Sequence, residues 1–373
     1  MAKKRFRDKN FAAAADKSRQ LTREVAAAGG ADPGEVPDDQ VGGRARLRRA
    51  QAPLPGSAGE GSATSLEGQV VALWSAGCKV RRDGVDLDCT LPSQLAAGQK
   101  SNLAVGDWVL FSPDPAAGKL PGRVQEVLPR RTRLARPDPL LTHLERVVAA
   151  NIDVVVQVSS GIKPDFRAAL IDRYLIAIEQ GGAQPILCVN KVDLLDPQGL
   201  LDLEEELAPY RALALEIVLC SAKCQRGLER LRQLLAGKKA VFVGHSGVGK
   251  SSLLNALDPE AQARTGEVSM AYNKGRHTTT RASLYELPGG LSIIDTPGIR
   301  EFGLLDLDAA GLRFYFPDLQ EAAAGCRFSN CSHSHEPACA VRAAAEEDEH
   351  LAARYMTYLR LLATLEPPAR SRG

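Results

Sequence analysis

The stretch KAVFVGHSGVGKSSLLNAL, residues 239–257, decides the fold of the central part of this 373-residue chain. The apolar run KAVFV predicts a buried strand, and SSLLNAL predicts a helix. Between them, Gly244, Gly247 and Gly249 let backbone N–H groups curve around an anion, because glycine adopts positive φ without a steric penalty. A strand, a G-x4-G-K-S loop and a helix in this order predict a phosphate-binding loop in an α/β domain.

The same loop predicts how a nucleoside triphosphate is held. Lys250 is expected to reach the β- and γ-phosphates, and the Ser251 hydroxyl is expected to ligate Mg²⁺. The residues predicted to surround the phosphates are consecutive: Gly244, His245, Ser246, Gly247, Val248, Gly249, Lys250, Ser251 and Ser252.

Two further motifs identify the base. NKVD, residues 190–193, follows the apolar run PILCV, and SAK, residues 221–223, follows LEIVLC. The Asp193 carboxylate can accept hydrogen bonds from guanine N1–H and from the exocyclic amine, whereas adenine presents no such pair of donors. The chain is therefore predicted to bind GTP rather than ATP.

The other residues of these two motifs are expected to surround the base. Asn190 is predicted to contact the N7/O6 edge of guanine, and the stem of Lys191 is predicted to pack on the purine face. Ser221, Ala222 and Lys223 are expected to close the opposite side, with the Ala222 amide near O6.

DTPG, residues 295–298, is the fourth nucleotide motif. Asp295 is expected to hold Mg²⁺ through a water molecule, and the Gly298 amide is expected to sense the γ-phosphate. Ile299 stands where GTPases of the Ras type place a glutamine that orients the attacking water. Since an aliphatic side chain cannot orient water, intrinsic hydrolysis is expected to be slow unless another residue supplies that group.

The segment GRHTTTRAS, residues 275–283, supplies the missing parts. Thr279 is predicted to ligate Mg²⁺, with Thr278 and Thr280 as alternatives. His277 is the nearest residue that could orient water; the alternative is a loop histidine that contacts backbone or RNA. The predicted catalytic residues are His277, Lys250 and Thr279.

The order of these motifs is unusual, because both guanine motifs precede the phosphate-binding loop, NKVD by about 50 residues. In an ordinary small GTPase the phosphate-binding loop comes first. This order predicts a circularly permuted GTPase domain over residues 140–305. Apolar strands and amphipathic helices alternate there, which predicts a mostly parallel sheet with its ligand at the carboxyl ends of the strands.

The chain before this domain divides into two parts. Residues 1–65 are rich in Ala, Gly, Pro and charge, and the first 50 hold 12 Lys/Arg against 7 Asp/Glu. This composition predicts a disordered basic arm, either a solvated tail or an electrostatic tether to RNA. Residues 66–135 contain short strand-like runs between Gly, Pro and Asp breaks, which predict a small barrel. An OB-fold fits; the strand pattern alone also permits an SH3-like barrel.

Four residues near the C-terminus have the spacing C-x4-C-x-H-x5-C: Cys326, Cys331, His333 and Cys339. Three thiolates and one imidazole fill a tetrahedral Zn²⁺ shell, so the predicted zinc is structural. His335 is a competing ligand, and a set of redox-reactive thiols is the alternative. These residues place a zinc-binding domain at 306–366, with a helix over 340–364.

Together these motifs resemble the ribosome small-subunit-dependent GTPase A family, also called the circularly permuted YjeQ-type GTPases. The resemblance covers roughly residues 66–365 and is carried by the ordered strings NKVD, SAK, GHSGVGKSSLLN, GRHTTT, DTPGIREF and CRFSNCSHSHEPACAV. RPDP at 136–139 and LIDRYLIAIE at 170–179 are similar to it as well. Two departures are the long arm and Ala338, which stands where the family's zinc loop has glycine.

The resemblance implies an OB-fold, a permuted GTPase domain and a C-terminal zinc domain. It implies binding of 16S rRNA near the decoding region, GTPase stimulation by the 30S ribosomal subunit, and a role in late maturation and checking of that subunit. The family's water-positioning histidine falls on His277. A monomer is expected, and the cytoplasm is its expected location, because no apolar run of the sequence reaches membrane-spanning length.

Two other functions compete with this one. An RNA chaperone could bind GTP as a conformational ligand, and the missing glutamine favours that alternative. A metabolic nucleotide kinase is the other, and NKVD is evidence against it. For the favoured function, GTP is hypothesised to order residues 275–283 and 295–303 and so to set the pose of the zinc domain against the barrel. Arginines expected either to contact phosphates or to form a solvated face are Arg130, Arg131, Arg133 and Arg136.

Overall fold

The computed structural model describes residues 65–74, 77–92, 103–113, 122–137, 145–258, 282–287, 289–295 and 307–365. The predicted arm therefore lies outside the described residues up to its last position. Other predicted residues that lie outside them are His277, Thr278, Thr279, Thr280, Gly298 and Ile299.

The N-terminal part is a five-stranded β-barrel, as predicted. Its strands are β1 (Leu66–Trp74), β2 (Gly77–Arg82), β3 (Val85–Thr90), β4 (Trp108–Pro113) and β5 (Gly122–Val127). β1 pairs with β2 along one edge and with β4 along the other, and the order β1-β2-β3-β5-β4 returns to β1. The pairing of β3 with β5 is parallel, whereas the others are antiparallel. Alternate residues of the strands fill the interior: Val70, Val80, Val109, Phe111 and Val124.

The last part of the predicted barrel, residues 122–135, divides after β5. Its second half forms β6 (Arg133–Pro137), which pairs with β7 (Glu145–Ala150) in a separate two-stranded sheet. Leu134 packs in the core of the next domain beside Val155 and Tyr174. The predicted barrel boundary at 135 therefore cuts through a strand that packs against the α/β domain.

Two of the four candidate phosphate-contacting arginines have carboxylate partners in this region. Arg130 forms a two-pronged ion pair with Asp107, at 2.7 and 2.9 Å, and Asp107 is fully buried. Asp107 also accepts from the Ala104 N–H at 2.8 Å. Arg133 pairs with Glu145. Arg130 thus neutralises the buried Asp107 carboxylate, which would be strongly unfavourable without a cation.

The central sheet is mostly parallel, as predicted. Its strands are β8 (Val154–Ser160), β9 (Gln184–Asn190), β10 (Glu216–Leu219), β11 (Lys239–Val243), β12 (Ala282–Leu287) and β13 (Leu291–Asp295). The order is β10-β9-β8-β11-β13-β12, and only β12 runs antiparallel to its neighbour. β12 also pairs with β1, so the barrel and the α/β domain share one continuous 11-stranded sheet.

Helices cover the parallel strands. They are α1 (Ala168–Gln180), α2 (Pro197–Ala212), α3 (Leu228–Leu235) and α4 (Lys250–Leu257). Val154, Val156 and Val158 face one apolar core, and Val155 faces another, because successive strand residues point to opposite sides. Burial on both faces explains the continuous apolar runs that marked these strands in the sequence.

The C-terminal module contains α5 (Ala309–Leu312), a 3-10 turn at Arg313–Tyr315, α6 (Pro317–Ala323), α7 (Ala340–Glu347) and α8 (Glu349–Leu365). The single helix predicted over 340–364 is wrong, because Asp348 interrupts it with extended dihedrals of −119° and 114°. Its Oδ1 accepts from the N–H groups of His350 at 2.8 Å and Leu351 at 3.2 Å. Asp348 thus caps α8, a preference of short acidic side chains that competed with the helical pattern. Among the described residues, no helix has the length and apolarity needed to cross a membrane.

A buried ion pair joins this module to the α/β domain. Arg354 of α8 contacts Asp172 of α1, and its Nε lies 2.8 Å from Asp318 Oδ2. The guanidinium also lies 4.5 Å from the ring centroid of Phe316 and 5.5 Å from that of Tyr210. Burial raises the pKa of Asp172 to about 6, although Arg354 acts to lower it. The module is therefore fixed to α1 by charge as well as by apolar contact.

We predict that Arg354→Met lowers the free energy of local opening of α8 by about 3–5 kcal/mol, because it leaves the Asp172 carboxylate buried without a cation. Hydrogen exchange of the α8 amides measures the free energy of local opening. Arg360→Met, on the exposed face of the same helix, is the matched control and should change it by less than about 0.5 kcal/mol. Equal protection in both variants would contradict a structural role for the ion pair.

Candidate functional site

The nucleotide motifs meet at one edge of the parallel sheet. β8 and β9 pair so that Ser160 lies opposite Asn190, and β11 pairs with β8 so that Val243 lies opposite Gln157. Because parallel strands end on the same side, the loops after β8, β9, β10 and β11 open on a common cleft, and Asp295 ends β13 at the same edge. Residues far apart in sequence are therefore neighbours there, as the permuted order predicted.

The phosphate-binding loop requires its glycines. Gly244, Gly247 and Gly249 have φ values of +142°, +84° and +92°. A Cβ atom added at Gly244 would lie 2.1 Å from the Val158 carbonyl oxygen, and one at Gly249 would lie 2.3 Å from Asn190 Nδ2. Both contacts are shorter than any real contact of a Cβ atom. Backbone strain and packing therefore permit only glycine at these two positions.

Lys250 opens α4 and reaches back across the loop. Its Nζ donates to the carbonyl oxygens of Gly244 at 2.7 Å and His245 at 3.0 Å. Ser251 and Ser252 follow in the first turn of α4, where free backbone N–H groups favour negative charge. The lysine ammonium and the helix N-terminus thus concentrate positive potential at the predicted phosphate position.

Asp295 ends β13, the strand next to β11. Burial raises the pKa of this carboxyl. A nearby divalent cation would act in the opposite direction, since it favours the charged carboxylate. The position and the environment fit the predicted role of holding Mg²⁺ through water.

Asn190 connects three of the motifs. Its Nδ2 donates to the Val248 carbonyl oxygen at 2.9 Å, and its Oδ1 accepts from the Ala222 N–H at 3.1 Å. The side chain is 2% exposed. The sequence predicted that Asn190 and the Ala222 amide both contact the guanine edge; in the structure these two groups bond to each other. The Asn190 side chain therefore links the base-binding and phosphate-binding loops through two hydrogen bonds.

A hydrogen bond from the buried Ser221 sets the orientation of the Asp193 carboxylate in the cleft. The Ser221 hydroxyl donates to Asp193 Oδ1 at 2.7 Å, and Ser221 Oγ accepts from the Cys224 N–H at 3.1 Å. Ser221 is fully buried, whereas Asp193 is exposed. One carboxylate oxygen is thereby oriented while the group stays accessible to a pair of donors. Lys223 follows on the exposed side of the same turn.

The loop after β8 belongs to the same edge, and the sequence reading missed it. The Lys163 carbonyl oxygen accepts from Lys191 Nζ at 2.6 Å, and the Ser160 hydroxyl donates to the Ile162 carbonyl oxygen at 2.6 Å. Lys191 has a φ of +64°, which directs its stem along this loop. The sequence does contain a signal for this loop, because GIKP, residues 161–164, directly follows a buried strand, as NKVD follows β9.

The cysteine cluster forms a second site. One ligand atom from each of Cys326, Cys331, His333 and Cys339 lies within 4.8 Å of the others. His333 Nδ1 lies 3.6 Å from Cys326 Sγ and 3.5 Å from Cys339 Sγ, and these two sulfurs are 4.0 Å apart. A tetrahedral Zn²⁺ shell requires about 3.8 Å between sulfurs and about 3.6 Å between sulfur and nitrogen. The four side chains therefore fit one such ion.

His335, the predicted competitor, points away from the cluster. It is exposed, and its Nδ1 lies 2.9 Å from the Ser334 hydroxyl. His333 is 4% exposed, and Tyr355 donates to its carbonyl oxygen at 2.5 Å. Of the two histidines, His333 is therefore the one placed to complete the cluster.

Glu336 orders the backbone of the metal loop. Its Oε1 accepts from the Ser332 N–H at 2.5 Å, and Tyr358 donates to the Ser332 carbonyl oxygen at 2.9 Å. Burial acts to raise the pKa of Glu336, but hydrogen bonds centred on Ser332 outweigh it and lower the pKa to about 2. The backbone that carries the candidate ligands is therefore held by an ionised carboxylate and by the tyrosines of α8.

Comparison with known proteins identifies the family. Residues 127–305 match the model of the family described as RsgA GTPase. The chain is 43% identical over 291 residues to the small ribosomal subunit biogenesis GTPase RsgA of Chlorobaculum parvum, covering 76% of this chain and 93% of that protein. The chain belongs to the RsgA GTPase family. The RsgA relative from Pseudomonas aeruginosa is 40% identical over 299 residues, covering 80% of this chain and 85% of that protein.

Solved structures agree with membership in the RsgA family. YjeQ from Thermotoga maritima is 31% identical with a TM-score of 0.63, over 81% of this chain and 98% of that one. YloQ, described as a circularly permuted GTPase, is 28% identical with a TM-score of 0.60, over 81% and 96%. The predicted family and the permuted GTPase fold are confirmed. As an RsgA GTPase, the protein is a GTP-hydrolysing enzyme, which excludes the nucleotide kinase alternative.

We predict that His333→Ala lowers the metal content of the purified RsgA-family protein well below one ion per chain, because it removes one of four converging ligands. His335→Ala is the matched control two residues away and should leave the metal content unchanged. Elemental analysis by mass spectrometry measures both. Metal loss in the His335 variant alone would show that the ligands are assigned wrongly.

Proposed function

We propose that this protein hydrolyses GTP during late maturation of the small ribosomal subunit, that it binds 16S rRNA, and that the 30S subunit stimulates its turnover. The proposal is carried by one observation: a complete set of guanine and phosphate motifs joined by Asn190, in a chain 43% identical to a small ribosomal subunit biogenesis GTPase. The proposed place of action is the cytoplasm, and the proposed active form is a monomer.

The proposed site uses the residues of the sheet edge. Asp193 reads the guanine donors, Lys191 packs on the purine, and the 221–223 turn closes the base pocket. The loop from Gly244 to Ser252 surrounds the phosphates. Mg²⁺ fits a donor set of hydroxyl and carboxylate oxygens. Ser251 and Thr279 are proposed to ligate it directly, and Asp295 is proposed to hold it through a water molecule.

The proposed chemistry is water attack on the γ-phosphate. Lys250 neutralises charge that develops on the phosphate oxygens, and the Gly298 amide donates to the γ-phosphate. When bound, Mg²⁺ would supply further positive charge at those oxygens. His277 orients the attacking water, because Ile299 cannot. We propose that rRNA contact completes this arrangement, which makes hydrolysis slow in the free protein and faster on the subunit.

The three proposed domains, at 66–135, 140–305 and 306–366, are proposed to have different roles. The barrel is proposed to be an OB-fold, supported by its closed order and by the parallel pairing of β3 with β5. OB-folds bind oligonucleotides. The metal is proposed to be one structural Zn²⁺, supported by the donor set and its spacing.

We expect Asp193→Asn to weaken GTP binding by about 100-fold or more, because an acceptor of two hydrogen bonds becomes a donor at one position. The same change should improve binding of xanthosine triphosphate, which presents a carbonyl oxygen where guanine has its amine. Isothermal titration with GTP, xanthosine triphosphate and ATP measures the exchange of specificity. Unchanged GTP affinity would remove Asp193 from base recognition.

The proposed function is tested by measuring GTP hydrolysis with the protein alone, with 30S subunits and with 50S subunits. Stimulation of severalfold or more by 30S alone is the expected result. His277→Ala should lose the stimulated rate and keep GTP binding, because it removes only the water-orienting group. His350→Ala, an exposed histidine of α8, is the matched control and should behave like the wild type.

Failure of 30S subunits to stimulate hydrolysis, with tight GTP binding intact, would support the alternative of a GTP-liganded RNA chaperone. Stimulation that persists in the His277 variant would place the water-orienting group elsewhere and leave the partner assignment standing.

A further inference from the structure

Two phenylalanines of the C-terminal module are unusually exposed. Phe314 is 60% exposed and Phe328 is 39% exposed. Each has a neighbouring guanidinium over its ring: Arg313 Cζ lies 5.0 Å from the Phe314 centroid, and Arg327 Cζ lies 5.6 Å from the Phe328 centroid. A single exposed apolar residue is ordinary at a protein surface, whereas neighbouring apolar residues rimmed by polar groups mark an interaction site.

The two phenylalanines belong to one surface. Arg313 Nη1 donates to the Ser329 carbonyl oxygen at 3.3 Å, which joins the turn that carries Phe314 to the loop that carries Phe328. That loop, residues 327–330, has four exposed residues and lies between the metal ligands Cys326 and Cys331. A bound metal therefore fixes both ends of the segment that presents Phe328.

The two arginines have no carboxylate partner among the described residues, and the carboxylates nearby have other partners. Asp308 accepts from the Gly311 N–H at 2.7 Å, Asp318 pairs with Arg354, and Glu336 accepts from the Ser332 N–H. Positive charge on this surface is therefore available to an external anion.

Two basic residues of the barrel, on the β2–β3 hairpin, differ in this respect. Lys79 lies 2.8 Å from Asp88, and Arg81 lies 2.6 Å from Asp86 on the β2–β3 hairpin. Their charge is largely compensated within the hairpin. Among the described surfaces, exposed aromatic rings and uncompensated arginines coincide at Phe314 and Phe328.

We propose that Phe314 and Phe328, with Arg313 and Arg327, form a stacking platform for unpaired RNA bases. Every base has an apolar π-face that stacks on an aromatic ring, and the guanidinium groups can meet the phosphates on either side. A protein partner would satisfy the rings but would leave the arginines without the regularly spaced anions that RNA provides. This proposal rests on the proposed function, since it assigns one of the surfaces that contacts rRNA.

The test compares Phe314→Leu and Phe328→Leu with Phe314→Tyr and Phe328→Tyr in binding to 30S subunits. Leucine keeps apolar bulk and removes the ring, so each leucine variant should bind at least about fivefold more weakly. Tyrosine keeps the ring and should bind within about twofold of the wild type. Leu201→Ala, which removes a side chain that is 61% exposed on α2, is the matched control and should bind like the wild type.

The nature of the partner is tested separately. A photo-crosslinking phenylalanine analogue incorporated at position 328 should attach to rRNA in the 30S complex, and attachment only to a ribosomal protein would overturn the proposal. Arg327→Gln should reduce the slope of log K against log salt by about 0.7, the value for one phosphate contact on single-stranded nucleic acid. Metal content and basal GTP hydrolysis should be unchanged in all these variants, which shows that the module is folded.

The outcomes separate this proposal from the one on which it rests. Wild-type protein that does not bind 30S subunits would overturn both. Wild-type binding with undiminished affinity in both leucine variants would overturn the platform alone. Binding that tolerates leucine but not tyrosine would indicate an apolar protein groove instead of stacking.

Discussion

Parallel pairing of β9, β8 and β11 is the constraint on which the rest of the structure depends. It brings the carboxyl ends of the three strands to one edge and so places NKVD beside the phosphate-binding loop. Asn190 then fixes that arrangement from inside, because its buried amide is satisfied only when the Val248 and Ala222 backbone groups are in place. A buried polar group with specific partners selects one arrangement of loops over others. The order of the motifs along the chain can therefore change without altering the site, because the order of the strands in the sheet stays the same.

The circular permutation determines where the barrel and the metal-binding module are attached to the α/β domain. The barrel joins at β12, where Ala72 lies opposite Ser283 in a continued sheet. The metal-binding module follows β13 in the chain but packs on α1, where Ile176 enters its apolar core and Asp172 meets Arg354. A change of pose in this module, as hypothesised for GTP binding, thus either moves α1 with it or breaks a buried ion pair. The second route costs several kcal/mol, so movement together with α1 is the less costly of the two.

Sequence reasoning succeeded where one local pattern carries the information. Continuous apolar runs marked the parallel strands, and glycines at fixed spacing marked the loop whose Gly244 and Gly249 admit no Cβ. It failed where the deciding partner is remote. Arg354 and Asp172 are separated by 182 positions, and nothing local indicates their contact. The break at Asp348 was missed for another reason: helical periodicity continues across it, and the capping preference of one aspartate outweighs that pattern.

The metal loop shows how ligand geometry can outweigh backbone preference. His333 and Ala338 have φ values of +60° and +55°, in a region that costs an L-residue about 1–2 kcal/mol. Ala338 takes this conformation without the freedom that glycine would provide, so the loop carries some backbone strain. A structural Zn²⁺ contributes about 10–16 kcal/mol of binding free energy, which exceeds both penalties together. Since Cys326 and Cys331 also flank the exposed 327–330 loop, the same metal that tolerates the strain would present Phe328 at the surface.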